Sequence, residues 1–548
     1  MIILFEEYQY NTEKLKQVLS ERYFLPLNSS KSKINYVGYY FNPTINEAVV
    51  ILPKVFINEK SLAFEEFDPE TLIFQSDQIK EQLSMKGKNK IVFEISTWLY
   101  RAIQQFNKRH YYNSISENQF LNQIVTNLEE KSNTELDIIL SLLKFYKENQ
   151  AYFTFISKSA HSQKNKINWH KTINKKQPII QNNTPIYFDL ATTRNKINYD
   201  EELLILFYST LNFIKSKYAF DFNPPQNYEL IKGHQFENVL RKGCRILKSI
   251  KYKYYSDKMI SLYNLLYSYF ERSEITQSKK QIEEVLLIKD FNIVFEDMID
   301  DLIGDSKLLP ELKNHADGKQ IDHIYKYKSL IIEDVIYFVG DSKYYKPQNN
   351  IGKYSQAKQF TYAKNVIQYN IDLFNDNKLD KQIRYRENLT EGYNITPNFF
   401  ISSFVNKDFD FSKSELDETG KPIMQSHFEN RLFDRDTLFV QSYNINFLFV
   451  LSAYLSNNST LKSNFKKDTQ KKFRDKLVRF INDKYTLYTL EPKDKSFIEK
   501  HFKLLNGKVY KPSQMNEKLI LALEKPDLTD ILTKIESDLK TKTEYYLT

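Results

Sequence analysis

The sequence is poor in glycine and cysteine, and each shortage excludes a class of site. Glycine occurs 11 times in 548 residues, and neither GxGxxG nor GxxxxGK followed by Ser or Thr is present. We therefore expect this chain to bind no nucleotide in a Rossmann or P-loop cradle. Cys244 is the single cysteine. It excludes an intrachain disulfide or a multi-cysteine zinc site and favours a reducing, cytoplasmic setting.

Long hydrophobic runs are also lacking. Glu6 and Glu7 follow the apolar start too early for a signal peptide, and the most apolar later stretch, 445–455, is about half as long as a bilayer span. We expect no membrane association. Hydrophobic residues still make up 41% of the chain and aromatic residues 15%, which is enough for several cores and predicts about three to four domains.

The pattern of apolar residues predicts a multidomain, mixed α/β (α+β) protein. Residues 35–40 and 47–56 alternate like two strands, whereas 91–152, including Ile124 and Val125, has helical spacing. The residues with catalytic potential fall between 286 and 460. The expected regions are an N-terminal α/β and helical domain (1–156), a basic arm or hairpin (157–200, most loop-like at 157–183), a helical region (201–285), the catalytic domain (286–460) and a basic helical C-terminal region (461–548).

Three consecutive pieces of the catalytic domain predict a helix followed by two strands. FNIVFEDMIDDLIG (291–304) has helical spacing and ends at Gly304. QIDHIYKYK (320–328) and VIYFVGDSKYYKP (335–347) look like strands joined by a turn at 329–334. Together they bring one set of side chains within reach of one another: Glu296, Asp322, Asp341 and Lys343.

These residue types suit metal-assisted hydrolysis of a phosphodiester. Asp341 and Lys343 are two apart on a strand and therefore share a face. With Asp322 they offer hard oxygen ligands for Mg²⁺ or Mn²⁺, and we expect Glu296 and the backbone carbonyl of Ser342 to complete the ligand set. Lys343 would orient the attacking water or stabilise the transition state.

Structural alternatives exist for each of these residues. Asp305-Ser306-Lys307 repeats the same triplet after a helix end, so the triplet alone is weak evidence. Asp322 and Lys343 could form a cross-strand ion pair, and Glu296 could occupy a solvated helix position. His323 is expected on the opposite face from Asp322, in a packing role.

Glu296, Asp322 and Asp341-Ser342-Lys343 resemble the acidic helix and PD-(D/E)xK signature of restriction-endonuclease-like nucleases. FNIVFE, the acid-bearing strand and DSKYY are similar to the nuclease subunits of McrC and LlaJI type, and NKINWHKTI (165–173) and RLFDRDTLFVQSYNINFLFVL (431–451) look LlaJI-like. Ile321 replaces the usual proline before Asp322. The resemblance implies a Mg²⁺-dependent DNA endonuclease subunit of a prokaryotic restriction or anti-phage system, working with a separate AAA+ motor that hydrolyses GTP or ATP.

The resemblance also points to the segment after Lys343. Residues 351–367 predict a helix that carries Gln359 and Tyr362 on one face. In related nucleases such residues help to hold the site or DNA, so Gln359 is a catalytic candidate and Tyr362 a DNA-binding candidate. An ordinary amphipathic helix is the alternative. Residues 398–405 predict the last strand of the same sheet.

Basic residues are clustered in three windows, although the net charge is only +9. No acid occurs between Glu148 and Asp189 or between Glu237 and Asp257, and 462–479 holds eight bases against two acids. Such windows suit a DNA backbone, with solvated surface as the alternative. The DNA-binding candidates are Lys164, Lys166, Lys171, Lys175, Lys176, Arg241, Lys242, Arg245, Lys466, Lys467, Lys471 and Lys472.

Two other functions stay open at this point. The chain could be a nuclease that needs no motor, or a non-catalytic DNA-binding scaffold with a nuclease-like fold. The recognised DNA sequence, the motor's nucleotide and self-association are also left open. By the resemblance, the basic arm would dock on the motor's ring or on DNA.

Overall fold

The computed structural model describes the chain in segments separated by short gaps. These segments are residues 1–74, 81–83, 87–113, 124–126, 134–153, 157–161, 166–198, 201–218, 220, 222–277, 284–305, 310–313, 320–344, 352–375, 385–387, 389–426, 430–512, 515, 517–525 and 528–548. In these segments, no helix is both long and apolar enough to span a bilayer.

The N-terminal sheet contains the predicted pair of strands. Tyr36–Asn42 and Glu47–Leu52 form an antiparallel hairpin, and the side chain of Asn42 accepts a hydrogen bond from the Thr44 amide in the turn (2.9 Å). The full strand order is Ile2–Phe5, Glu47–Leu52, Tyr36–Asn42, Glu284–Lys289 and Ile124–Thr126. A further small sheet contains Gln9–Asn11, Lys31–Lys33 and Leu25–Pro26.

The helical prediction for Ile124 and Val125 is wrong. Ile124–Thr126 is an edge strand whose residues pair antiparallel with Leu286–Ile288. A short apolar run has no period of its own, and the backbone hydrogen bonds offered by a strand 160 residues later decide its structure. The strand Glu284–Lys289 thus returns the chain to the N-terminal sheet. Residues 286–289 belong to that sheet, although the predicted catalytic domain starts at residue 286.

Helices make up most of the described residues in 91–152 and 201–285, as the spacing of apolar residues predicts. Within the described residues, the α-helices are Thr12–Val18, Lys88–Asn113, Glu135–Phe153, Trp169–Lys175, Glu202–Tyr218, His234–Ile250, Asp257–Gln277, Asn292–Ile303, Pro310–Lys313, Lys353–Asn375, Phe447–Leu455, Ser459–Lys484, Phe497–Leu505 and Leu528–Ile535. Asn292–Ile303 is called the acidic helix, Lys353–Asn375 the glutamine helix and Ser459–Lys484 the lysine helix.

The central sheet lies in the predicted catalytic domain. Its strand order is His323–Lys328, Val335–Lys343, Thr396–Phe404, Leu438–Asn446 and Leu416–Glu418, and Met424–Ser426 also pairs with Leu438–Asn446. The first two strands are antiparallel, and the next two continue parallel to the second. The predicted strand at 398–405 is confirmed as Thr396–Phe404. Its predicted place as the last strand of the sheet is wrong, because Leu438–Asn446 pairs along its outer edge.

Helices cover both faces of the central sheet. On one face, Ala363 of the glutamine helix packs in a cluster with Phe400 and Val440. On the other, Phe473 of the lysine helix stacks on Tyr443, with ring centroids 4.4 Å apart. Successive residues of a strand point to opposite faces of the sheet. Neighbouring residues of these strands therefore pack against different helices.

Gly340 is required by this packing. A Cβ atom at this position would lie 2.1 Å from the ring of Phe399, which fills the space beside the strand. Because Gly340 has no side chain, the ring of Phe399 fits over the strand Val335–Lys343, between the sheet and the lysine helix.

The arm and the C-terminal region contain more strands than predicted. In the arm, Ser157–His161 pairs with Thr193–Ile197, and Ile179–Gln181 forms a hairpin with Thr184–Ile186, in agreement with the hairpin alternative. The C-terminal region is helical only in part. Its four-stranded sheet has the order Val509–Tyr510, Leu519–Glu524, Tyr485–Pro492 and Leu539–Tyr545. The last strand is a lysine-rich edge, a common protection against aggregation that hides the strand signal.

Candidate active site

Asp322 and Asp341 lie next to each other on neighbouring antiparallel strands. His323 pairs with Gly340, so Asp322 lies opposite Asp341 by continuation of the register. Directly opposite residues share a face, with Cβ atoms about 4.5–5.5 Å apart. The amide of Ser342 donates a hydrogen bond to Asp322 Oδ2 (3.0 Å), which fixes this carboxyl against the neighbouring strand. The predicted proximity of the two acids is confirmed.

The two carboxyl groups repel each other in a poorly solvated place. Burial raises the pKa of Asp322 well above its usual value, and the charges of Asp341 and Glu296 raise it further. Asp341 is 2% exposed, and neither of its carboxylate oxygens accepts a hydrogen bond of ordinary geometry. A buried carboxylate without donors is costly unless a cation compensates for its charge.

Lys343 supplies one compensating charge from the same strand. It lies two residues after Asp341, and its ammonium contacts Asp341 Oδ2. The Lys343 side chain is only 10% exposed, and Nζ lies 5.6 Å from the ring centroid of Phe400. The ion pair of Lys343 therefore joins it to Asp341 on its own strand, whereas the structural alternative was a pair with Asp322 across the two strands.

The opposite face of these strands has a packing role, as predicted for His323. His323 is buried, its Nε2 is hydrogen-bonded to Ser342 Oγ, and its Nδ1 lies 3.5 Å from Asp300 Oδ1. Burial lowers the pKa of His323. The backbone of Ser342 faces Asp322 instead. Its amide donates a hydrogen bond to the Asp322 carboxyl group, and in an extended strand the carbonyl of the same residue points in the same direction as the amide.

Glu296 of the acidic helix lies near the aspartate pair. It is half-buried, and Asn292 Nδ2 donates a hydrogen bond to Glu296 Oε1 (3.4 Å). The pKa of Glu296 is raised to about 7, chiefly by burial and also by the charge of Asp341, although the hydrogen bond from Asn292 and the charges of Lys358 and Lys343 act to lower it. Among the described residues, no three carboxylate, imidazole or thiol groups already enclose a metal-sized site. Glu296 is thus a neighbour of the pair, and its role as a ligand stays a prediction.

The donor set nevertheless fits a divalent cation. The Asp341 carboxylate is buried and accepts no hydrogen bond of ordinary geometry, and Asp322 faces it. Strand geometry directs the Ser342 carbonyl to the same side as the Ser342 amide, towards Asp322. All of these donors are hard oxygen atoms, which Mg²⁺ and Mn²⁺ prefer. Two carboxylates with room for water are typical of Mg²⁺ sites in enzymes that act on phosphates.

The family of the chain follows from a match to residues 83–413, more than half of the sequence. The matching family model is that of the LlaJI restriction endonuclease. The chain belongs to this family. The matched range contains all four candidate residues of the site, from Glu296 to Lys343. The resemblance predicted from the motifs is confirmed.

Comparison with solved structures gives a weaker likeness. A half-complex from a tetradecameric assembly of Thermococcus gammatolerans McrB AAA+ hexamers with bound McrC shares 13% identity, covering 86% of this chain and 99% of that chain. Its TM-score is 0.28, which does not establish a common fold. No curated protein sequence matches the chain.

In this LlaJI family chain, Gln359 connects the glutamine helix to the central sheet. Its Nε2 donates hydrogen bonds to the backbone oxygen of Val339 (3.1 Å) and to Asn398 Oδ1 (3.0 Å). Gln359 is 1% exposed. Its amide nitrogen is thus committed to the two strands, which assigns it a positioning contact in this conformation. A direct catalytic contact for Gln359 stays a prediction.

Tyr362 is buried and does not present its ring to solvent. The ring instead lies under Lys358, whose Nζ is 5.1 Å from the ring centroid and 3.8 Å from Asp341 Oδ1. Burial acts to lower the pKa of Lys358, but hydrogen bonding with Tyr362 and the charges of Asp322 and Asp341 outweigh it and raise the pKa.

Sequence reasoning missed Lys358. The available signal was its spacing: Lys358 directly precedes Gln359 and is four residues before Tyr362, so the lysine and the tyrosine share one helix face.

The basic candidates of the arm have different surroundings. Lys166 and Lys175 are exposed and Lys171 is half-buried, whereas Lys176 is paired with Asp189. The charge of Lys176 is therefore balanced within the chain, which weakens its case for DNA binding. Lys164 lies outside the described residues.

The helix His234–Ile250 carries an exposed basic surface. Arg241, Lys242 and Arg245 are all exposed on it, as predicted for DNA-binding residues. Tyr252 and Tyr255, just after this helix, are 69% and 84% exposed. Exposed bases beside exposed aromatic rings suit a nucleic-acid backbone.

The lysine helix is only partly available. Lys467 and Lys471 are exposed, but Lys466 donates a hydrogen bond to the Gly304 carbonyl and Lys472 donates one to the Leu416 carbonyl. These two lysines tie the helix to the rest of the chain. The charge pattern predicted all four as DNA contacts because it does not distinguish a lysine bound to a carbonyl from one in solvent.

Proposed function

We propose that this LlaJI family chain is a DNA endonuclease subunit that hydrolyses phosphodiester bonds at a PD-(D/E)xK-type site in the cytoplasm. The single observation that carries the proposal is the position of Asp322 opposite Asp341, with Lys343 on the same face. Membership of a restriction endonuclease family supports the same chemistry.

The residues divide the work as follows. Asp322, Asp341 and the Ser342 carbonyl would hold Mg²⁺ or Mn²⁺, with Glu296 as a further carboxylate beside them. The cation would supply charge neutralisation at the phosphate and a lowered pKa for water. Lys343 holds Asp341 in place and brings a positive charge to the face where the phosphate must approach. Gln359 keeps the glutamine helix in register with the strand that bears Asp341.

DNA would be held by exposed lysine and arginine side chains that are remote in sequence from the site. The clearest group is Arg241, Lys242 and Arg245, with Lys467, Lys471 and the arm as further contacts. We also propose a separate AAA+ motor subunit as the partner. The family resemblance and the lack of a P-loop in this sequence support this arrangement.

Asp341→Asn tests the proposed chemistry, because it removes the charge while keeping the shape of the side chain. We expect cleavage of supercoiled plasmid in Mg²⁺ or Mn²⁺ to fall at least about a hundredfold. Asp436→Asn is the matched control, since Asp436 pairs with Lys364 on the surface. Equal cleavage by the Asp341→Asn variant would refute the site and favour a scaffold role.

The motor is tested separately. Cleavage by the purified chain with a metal ion but no nucleotide would indicate a nuclease that acts alone. Cleavage that appears only when an AAA+ subunit and its nucleotide are added would support the motor-dependent function.

A further inference from the structure

The glutamine helix brings a second ammonium group to the aspartate pair. Lys358 Nζ lies 3.8 Å from Asp341 Oδ1, whereas Lys343 contacts the other oxygen of the same carboxylate. Asp341 therefore has one lysine at each oxygen. One of them comes from its own strand and the other from a helix above the sheet.

The position of Lys358 is fixed by its neighbours in the helix. Gln359, the next residue, is hydrogen-bonded to Val339 O and Asn398 Oδ1 and sets the register between helix and strand. Tyr362, one turn further, provides a buried ring 5.1 Å from Lys358 Nζ. Gln359, predicted as a catalytic candidate, and Tyr362, predicted as a DNA-binding candidate, thus have a common structural effect: they place Lys358 beside Asp341.

The two lysines differ in their access to solvent. The Lys343 side chain is 10% exposed and is enclosed by Asp341 and Phe400, whereas the Lys358 side chain is 36% exposed. Lys358 therefore reaches both the buried carboxylate and the solvent from which a DNA phosphate must arrive. Asp341 already has Lys343 as an ion-pair partner, so balancing the charge of Asp341 does not by itself account for a second lysine beside it.

We propose that Lys358 is a second catalytic cation, which contacts a non-bridging oxygen of the scissile phosphate and stabilises the charge that develops there. This inference rests on the proposed nuclease function. In hydrolysis, a water oxygen forms a bond to phosphorus and a P–O ester bond breaks. The proton of the water passes to solvent, and the leaving oxygen takes a proton from solvent. Lys358 supplies charge in this step and transfers no proton.

The test compares Lys358→Met and Lys358→Arg with the unaltered full chain, reconstituted with its motor if cleavage requires one. The rate of plasmid cleavage is measured in a single turnover at saturating DNA and saturating Mn²⁺, so that weaker binding of either does not count. We expect Lys358→Met to be about 10²–10³-fold slower, as for loss of one oriented transition-state contact, and Lys358→Arg to recover part of the rate.

A second measurement separates catalysis from charge balance. Mn²⁺ binding without DNA is followed by calorimetry, and we expect Lys358→Met to bind Mn²⁺ at least as tightly as the unaltered chain, since a competing positive charge has been removed. Lys364→Met, in the same helix but paired with Asp436, is the control and should cleave at the normal rate. Thermal melting establishes that each variant is folded.

The outcomes distinguish the two proposals. Cleavage that is abolished by Asp341→Asn but unchanged by Lys358→Met would overturn the role of Lys358 alone. A Lys358→Met variant that is slow only because it no longer binds Mn²⁺ would also overturn it, because the lysine would then be a structural support. No cleavage by the unaltered chain under any of these conditions would overturn the nuclease function, and the role of Lys358 with it.

Discussion

Metal binding at the aspartate pair should depend steeply on pH. A carboxyl group must lose its proton before it can coordinate a cation, so each raised pKa makes binding weaker at low pH. Burial and the neighbouring Asp341 hold the pKa of Glu296 at about 7. The pKa of Asp322 is raised well above its usual value by burial and by the charges of Asp341 and Glu296. Lower pH therefore favours the proton over the metal.

The size of the expected pH effect on metal affinity follows from the pKa of Glu296. With a pKa of about 7, this group is about 90% ionised at pH 8 and about 10% ionised at pH 6. If metal binding requires the ionised form, the affinity for Mn²⁺ should fall about tenfold over this interval, which equals about 1.4 kcal/mol. Asp322 titrates in the same direction, so the fall should be steeper than Glu296 alone would give.

Titration calorimetry with Mn²⁺ at pH 6, 7 and 8 measures this dependence. Buffers that differ in ionisation enthalpy report how many protons are released for each ion bound. Glu296→Gln should flatten the pH dependence, because one titrating group is lost, while the surface variant Asp436→Asn should keep it. Equal affinity at pH 6 and pH 8 in the unaltered chain would refute the electrostatic reasoning, and an absence of binding at both would refute the metal site.

Two further predictions concern the scaffold and the DNA surface. Phe473→Ala removes the ring stacked on Tyr443. We expect denaturant titration to show that the free energy of unfolding falls by about 3–5 kcal/mol. A fall of less than about 1 kcal/mol would contradict the packing described. The second prediction concerns the basic residues Arg241, Lys242 and Arg245, which are replaced together with Ala. Fluorescence anisotropy with duplex DNA should then show that the slope of log affinity against log salt concentration is smaller in magnitude by about 2 to 3. An unchanged slope would show that these three side chains are solvated surface.

The helix and two strands around the site could be predicted because their signals are local. Phe295, Met298 and Leu302 have helical spacing and are buried on one side of the acidic helix. The turn after Lys328 closes with a hydrogen bond from the Ser329 amide to the Asp334 oxygen (2.7 Å), within the predicted turn. Period and turn chemistry involve residues a few positions apart, so the sequence alone contains them.

The partners of these elements could not be predicted in the same way. Thr396–Phe404 is an interior strand only because Leu438–Asn446, far along the chain, pairs with it. Gln359 could be recognised by resemblance, but its hydrogen bond to Val339 depends on how the helix lies on the sheet. The charge pattern failed for the same reason at Lys466, which binds a carbonyl from another element. Long-range contacts decide these cases, and no local pattern records them.

The acidic helix shows how such contacts select one acid from four. Sequence spacing alone leaves every acid of the helix as a candidate for the site. Arg109, from a helix of the N-terminal half, lies 3.3 Å from Asp297 Oδ2 and 3.1 Å from Asp301 Oδ1. Asp300 is paired with Lys313 (2.6 Å). The charge of Asp341 contributes to the raised pKa of Glu296, so this acid lies near the aspartate pair while the other three have ion-pair partners elsewhere. The N-terminal half, through Arg109, therefore contributes to the position of the acidic helix and of the candidate site carboxylates.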